Sequence, residues 1–250
     1  MKPLTLAVAM FLAATSASAQ NTFTLVSNGA TVGKCVYSFD SVKDGFKISS
    51  SIQARVTPSQ RNTDITTTPI VRTRLIDVQQ THSYKLDTAY AYTGGYVQDM
   101  SSQVKNGFSL NKPRTQLIFT HMQAGSVGQP SWVDLQPGYI LLPDYDVSSI
   151  QTLVLLAVNH PTPNNVYFLI VPSANLRGIP LAGPALWTTA SDAVGTLAGK
   201  ALTLHHYTLR CGKDSYDLYT DATNTLMEAD LTAPDVKYIR NGFVLTAPAP

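Results

Sequence analysis

The chain has 250 residues and a formal net charge of +2, with 18 basic against 16 acidic side chains and only 14% charged residues. That near-neutral balance excludes the basic stripe a nucleic-acid partner needs and gives no electrostatic reason to sit on anionic lipid. Thr, Ser, Val and the 12 tyrosines favour strands over helices.

Lys2, the apolar run Leu4 to Ala14, and the small residues Ala17-Ser18-Ala19 follow the order of a secretory signal peptide, with cleavage expected between Ala19 and Gln20. The apolar run is about half of the roughly 20 residues that span a bilayer. No cysteine follows the cut to carry a lipid, and no later stretch is long and apolar enough for a transmembrane segment in the mature chain. A periplasmic or secreted location follows as the expectation. The mature domain is expected over 20–245, with 246–250 as a flexible Pro/Ala tail.

Short apolar-rich runs at Phe23 to Val26 and Lys34 to Phe39 flank Asn28-Gly29. Asp44-Gly45 then reads as a two-residue hairpin turn. After it, Phe46, Ile48, Ile52, Ala54 and Val56 alternate with Lys47, Ser49, Ser51, Gln53 and Arg55, the period-two pattern of a strand with one dry and one wet face. Ile65 to Val78 reads as a strand that Pro69 confines to an edge or a bulge. Tyr84, Leu86, Tyr90 and Tyr92 share one face of the next run, which ends at a Gly94-Gly95 turn. Asn106-Gly107 reads as a second hairpin turn. Thr115 to Met122 is a further strand, and Trp132 to Leu142 is one broken at Pro137-Gly138.

One segment departs from this pattern. Over Asp146 to Val158, Ile150, Leu153, Val154, Ala157 and Val158 stand near helical spacing. Asp146 or Ser148 can cap the start, and His160-Pro161 ends it. Its wide apolar surface predicts a helix covered on most sides. Val166 to Val171 is continuously apolar and reads as a buried strand. Asn175 to Pro184 reads as a loop. Strands are expected at Lys200 to Cys211, Ser215 to Thr220, Leu226 to Leu231 and Tyr238 to Leu245. The fold class is therefore mostly β: a curved antiparallel sheet, half-barrel or open barrel, wrapped around one buried helix.

Chemical motifs are sparse. Ser109-Leu110-Asn111-Lys112 has the letters of an S-x-x-K nucleophile motif, but its serine must open a helix and here Pro113 follows a strand. His82, His121, His160, His205 and His206 form no metal-binding spacing. His205 and His206 are adjacent on a strand and face opposite sides. Gly94-Gly95 lacks the rest of a phosphate loop. Asp144 and Asp146 lack the further oxygens of a calcium loop. No catalytic residue, metal or cofactor is assigned. Asp217, Asp221, Glu228 and Asp230 read as solvated strand carboxylates, although they can pair in space. Tyr84, Leu86, Tyr90 and Tyr92 are the candidate ligand-binding set, with ordinary core packing as the alternative. Cys35 and Cys211 are expected to form a disulfide in an oxidising compartment, with two buried thiols as the alternative.

The order of the second half carries a resemblance. The aspartate-flanked turn and apolar helix are followed by Val166-Tyr167-Phe168-Leu169-Ile170-Val171-Pro172, the strand Leu202 to Leu209, Tyr216-Asp217-Leu218-Tyr219-Thr220-Asp221, and Lys237-Tyr238-Ile239-Arg240-Asn241-Gly242-Phe243. With the opening hairpin Gly33 to Val56, this resembles uncharacterised exported bacterial proteins whose fold is similar to the half-barrel of periplasmic lipoprotein carriers. The resemblance implies a curved sheet partly wrapped around a helix, with an apolar cavity, and it carries no active-site residue. The leading expectation is an exported protein that binds an apolar small molecule or lipid acyl chain. The alternatives are a cell-envelope structural or interaction protein with a filled core, and a hydrolase whose Ser, His205 or His206 and carboxylate meet only in space.

Overall fold

The computed structural model describes residues 20–56, 76–142, 146–171, 181–212, 214–231 and 236–248. The segment up to Ala19 that was read as a signal peptide, the Ile65 to Leu75 part of the Ile65 to Val78 run with Pro69, Asp144 and the residues beyond Pro248 lie outside the described residues. Eighteen strands and one α-helix follow in chain order: β1 Asn21–Ser27, β2 Ala30–Val42, β3 Gly45–Val56, β4 Ile76–Leu86, β5 Tyr92–Asp99, β6 Val104–Leu110, β7 Gln116–Gln123, β8 Ser126–Val127, β9 Ser131–Asp134, β10 Tyr139–Leu141, the helix α1 Val147–Asn159, β11 Val166–Val171, β12 Leu181–Thr189, β13 Ala193–Leu197, β14 Lys200–Cys211, β15 Asp214–Thr220, β16 Leu226–Leu231, β17 Val236–Arg240 and β18 Phe243–Pro248.

The strands form one open, curved sheet. From one edge to the other the order is β9, β7, β6, β5, β4, β3, β2, β1, β17, β16, β15, β14, β12, β11, β10. The short β8 pairs with the end of β7. The sheet is mixed rather than purely antiparallel, because β10 runs parallel to β11. That pairing is reached through α1, the crossover a parallel neighbour requires. β13 pairs with Lys200–Leu204 of β14 and with β18, and it folds this small flap onto the outer face. There Ala193, Leu204, Met227 and Phe243 form a minor core.

The alternation in β3 is as read: Ile48, Ile52 and Val56 are buried while Lys47, Ser51, Gln53 and Arg55 are exposed. The same inward face carries Cys35, Tyr37, Tyr84, Leu86, Tyr92, Phe108 and Leu117. α1 lies against it. Ten of its 13 residues are buried, polar Ser148, Ser149, Gln151 and Thr152 among them. Only Leu155 and the Val158–Asn159 end lie partly in solvent, so the helix packs into the concave side of the sheet.

Several turns differ from expectation. Val42 pairs directly with Gly45, so the β2–β3 hairpin turns on Lys43-Asp44, one residue earlier than read. Asn106-Gly107 is not a turn but lies inside β6, opposite His121 and Thr120. Gly94-Gly95 likewise lies inside β5, where a Cβ on Gly95 would stand 2.2 Å from the Ser83 carbonyl oxygen. The loops actually used are closed by side chains. Asp87 accepts from the amides of Ala89 and Ala91, and Asp99 from those of Ser101 and Ser102. Asn111 accepts from Thr115 and Gln116, and Asp221 from Thr223 and Thr225. An Asp or Asn carboxyl or amide oxygen that bonds the backbone a few residues on makes a turn without glycine. Asn28-Gly29 and Asn241-Gly242 do turn, with Gly29 and Gly242 at positive φ.

Two further expectations are corrected. The loop read up to Pro184 ends earlier, because β12 begins at Leu181. β14 flanks β12 only from Leu186 onward, so Pro184 sits where one side of the strand is an edge, the setting that tolerates proline. Thr246 to Pro248, expected as tail, belong to β18, whose Ala247 and Pro248 pair with Val194 and Ala193.

Candidate functional site

The start of α1 organises the polar interior. Asp146 is the N-cap, 1% exposed, and its side chain accepts from the Ser148 amide at 3.1 Å. Its Oδ1 also accepts from Ser50 Oγ on β3 at 3.0 Å, and its Oδ2 from Tyr84 Oη on β4 at 2.9 Å. Ser148 and Ser149 hydroxyls complete the shell at 2.8 and 3.2 Å. One turn further along, Gln151 Oε1 accepts from Tyr37 Oη on β2 at 3.2 Å and from the Leu226 amide at 2.8 Å, while its Nε2 donates to the Asn224 carbonyl at 2.9 Å. The helix is thus bonded to both halves of the sheet. Buried polar groups demand such partners, because each one left unmade costs about 1–3 kcal/mol.

Ser50, His82 and Asp146 meet in this cluster, so a serine, an imidazole and a carboxylate do assemble in space. Their order is wrong for acyl transfer. A nucleophilic triad sets the imidazole between hydroxyl and carboxylate, whereas here Ser50 Oγ stands between, 3.0 Å from His82 Nδ1 and 3.0 Å from Asp146. The hydroxyl has one proton and the carboxylate can only accept, so that proton goes to Asp146. The imidazole therefore bonds Ser50 as a donor and cannot act as its base. His82 lies 3.7 Å from Asp146 Oδ2, but burial holds the imidazole below the ordinary histidine range against the pull of that carboxylate. The cluster is a lock on the helix, not a nucleophile.

The four residues read as a ligand face fall in two places. Tyr84, Leu86 and Tyr92 are buried in the main core. Tyr84 bonds Asp146, and Tyr92 Oη donates to the Leu141 carbonyl at 3.2 Å. Burial raises both phenols. Tyr90 instead sits in the β4–β5 loop at positive φ, stacked on Phe46 at 4.8 Å. Tyr139 Oη donates to the Tyr92 carbonyl, so these rings tie the β10 edge back across the hollow to β5.

Cys35 and Cys211 do not form the expected disulfide; both are thiols. Cys35 is on β2 and Cys211 ends β14, with β1, β17, β16 and β15 between them. At about 4.8 Å per strand this exceeds the roughly 7 Å that a bridge allows between Cα atoms.

His205 and His206 face opposite sides. His205 Nδ1 approaches Asp192 at 3.6 Å. On the outer face, His206 Nε2 bonds Asp217 Oδ1 at 3.0 Å and its ring stacks on Tyr219 at 4.5 Å. Beside them Lys237 bridges Glu228 at 3.2 Å and Asp230 at 2.9 Å. Glu228, read as solvated, is 3% exposed, and burial raises its carboxyl despite Lys237. Asp221 caps a turn. Among the described residues, no three His, Cys, Asp or Glu side chains converge as metal ligands, and no helix is long and apolar enough to cross a membrane.

The residues that sequence reasoning missed are Ser50, His82, Gln151 and the buried Gln80, two positions before His82 on β4. Asp146 and Ser148 were flagged as caps and Tyr84 as part of a ligand face. Ser50 and Gln80 carry a weak signal in retrospect, being polar on the dry face of a strand. Comparison with protein-family models, curated proteins and solved structures found no match.

Proposed function

We propose that this protein is an exported interaction protein with a filled interior, the helix-packed sheet serving as a rigid frame for its outer surface. The observation that carries this reading is α1, buried along ten residues and bonded to β2, β3, β4 and the β15–β16 loop through Asp146 and Gln151. An acyl chain entering the hollow would have to displace that helix and strand its hydrogen-bonding partners. The carrier reading, with Tyr84, Leu86 and Tyr92 as its lining, is therefore the weaker of the two.

The outer surface has a region suited to contact. Trp132 is 60% exposed opposite Ile118, and Val127 is 68% exposed opposite Met122, both on the strands that end the sheet. Nearby, Lys105 Nζ lies 3.9 Å over the Tyr96 ring. Exposed aromatic and apolar side chains beside an open strand edge mark interaction surfaces.

Native mass spectrometry of the untreated and solvent-extracted protein, with a fluorescent acyl probe, tests the reading. Identical masses and no uptake are expected; a lipid adduct would return the protein to the carrier class. A photo-crosslinker placed at position 132 should give a discrete adduct in the exporting cell where one at position 53 gives none. Equal labelling from both, or neither, would remove the surface assignment.

A further inference from the structure

The inner wall of β4 holds two buried acceptors that no group among the described residues satisfies. His82 is 2% exposed and Gln80 7% exposed, and neither His82 Nε2 nor Gln80 Oε1 has a hydrogen-bond partner. They are two positions apart on one strand and so project to the same side. The chemical nature of His82 Nε2 follows from its other nitrogen. Ser50 gives its single proton to Asp146 at 3.0 Å, so the 3.0 Å contact between Ser50 and His82 Nδ1 requires the proton on Nδ1. In the neutral ring Nε2 is then a bare lone pair. Burial, which disfavours the charged imidazole, is in accord with that form.

We propose that Gln80 and His82 form an internal binding site for a donor of two O–H hydrogens, one given to His82 Nε2 and one to Gln80 Oε1. The arithmetic of hydrogens excludes an acceptor such as a carboxylate or phosphate, since both wall atoms only accept. Side chains two residues apart on a strand are rooted about 6.7 Å apart, and a donor at about 2.8 Å from each acceptor bridges that span when the side chains lean together. Buried water typically makes about three hydrogen bonds to polar groups of this kind. A ligand supplies the same chemistry only with two hydroxyls, one for each acceptor. This site does not depend on the outer-surface reading above, and either source of the two hydrogens satisfies it.

The test is nitrogen-15 NMR of the full mature chain labelled at histidine, with Gln80→Leu as the variant. That substitution leaves His82, Ser50 and Asp146 in place, so the helix lock persists and unfolding can be checked separately by circular dichroism. The expected result is a neutral His82 with the proton on Nδ1 and a hydrogen-bonded Nε2, whose resonance moves downfield in Gln80→Leu as the bridging donor is lost. Solvent extraction distinguishes the sources: an unchanged Nε2 signal identifies water, and a changed one identifies the hydroxyl of an extracted molecule. The proposal is overturned if the proton is on Nε2. It is overturned equally if the Nε2 resonance of folded Gln80→Leu matches that of the parent, or if a crystal structure places the Gln80 amide nitrogen directly on His82.

Discussion

Tyr84 Oη donates to Asp146 Oδ2 at 2.9 Å across 62 residues of chain, joining the inner face of β4 to the first turn of α1. The same carboxylate caps the helix and accepts from Ser50. Asp146→Ala removes the cap, at about 1 kcal/mol, and leaves buried hydroxyls without an acceptor, at about 1–3 kcal/mol each. A loss of at least about 3 kcal/mol is expected in a urea titration. Ser148→Ala, which keeps the capped backbone amide, should cost about 1 kcal/mol. Equal effects of the two would mean that the network contributes little.

His82 gives the fold a dependence on mild acid. Its folded-state pKa is lowered by burial, against the attraction of Asp146. As pH falls below the ordinary histidine value of about 6.5, the unfolded chain takes up a proton that the folded chain refuses, and stability falls. The contribution is full above that value and is lost progressively below it, with a limiting slope of about 1.4 kcal/mol per pH unit for one proton. Urea midpoints from pH 7.5 to 5 should show this fall in the parent and a shallower one in His82→Gln. Parallel curves would remove His82 as the cause.

What was legible in the sequence was local. The helix and its Asp146 cap, the alternation of β3, and the bounds of β14 and β16 followed from periodicity, since each is a property of neighbouring residues. The Asx-closed loops were missed because their signal is one Asp or Asn at a strand end, weaker to the eye than Asn-Gly. Asn106-Gly107 misled in turn, because in β6 the pair faces His121 and Thr120 across an ordinary ladder. The polar lock was illegible for a different reason. Ser50 and Asp146 stand 96 residues apart, and only the curvature of the sheet brings them together. A serine at the centre of a dry strand face was the one local sign of it.

Gly45 has a structural task that its place beside a turn does not reveal. Its φ is +142°, and a Cβ there would stand 2.1 Å from the Leu86 carbonyl oxygen and 2.8 Å from Asp87 Cα. The obstacle is backbone, which cannot swing aside. Gly45→Ala should therefore cost about 1–3 kcal/mol. Gly125→Ala, at φ +81° with nothing within 4 Å, meets only the conformational penalty of about 1 kcal/mol. A chemical-denaturation pair measures both. If the two variants are equally stable, the close approach of the β4 end to Gly45 is not a constraint.

The cysteines give a prediction that separates chemistry from compartment. Export would expose both to an oxidising milieu, yet four strands intervene between β2 and the end of β14, so they should remain thiols there. Alkylation of the non-reduced, denatured protein is expected to label two sites, and a reductant should leave thermal stability unchanged. In the folded protein the two should differ in rate. Cys35 is fully buried, and desolvation raises its thiol well above the ordinary value, with the nearby Asp146 carboxylate adding to the effect. Since the thiolate is the reacting species, Cys35 should be labelled only as fast as the sheet opens, in step with global unfolding. Cys211, partly buried at the end of β14, should react first. A Cys35 rate that exceeds that of Cys211 in the native state, or a denatured protein that takes up no label until reduced, would contradict the strand order from which the prediction comes.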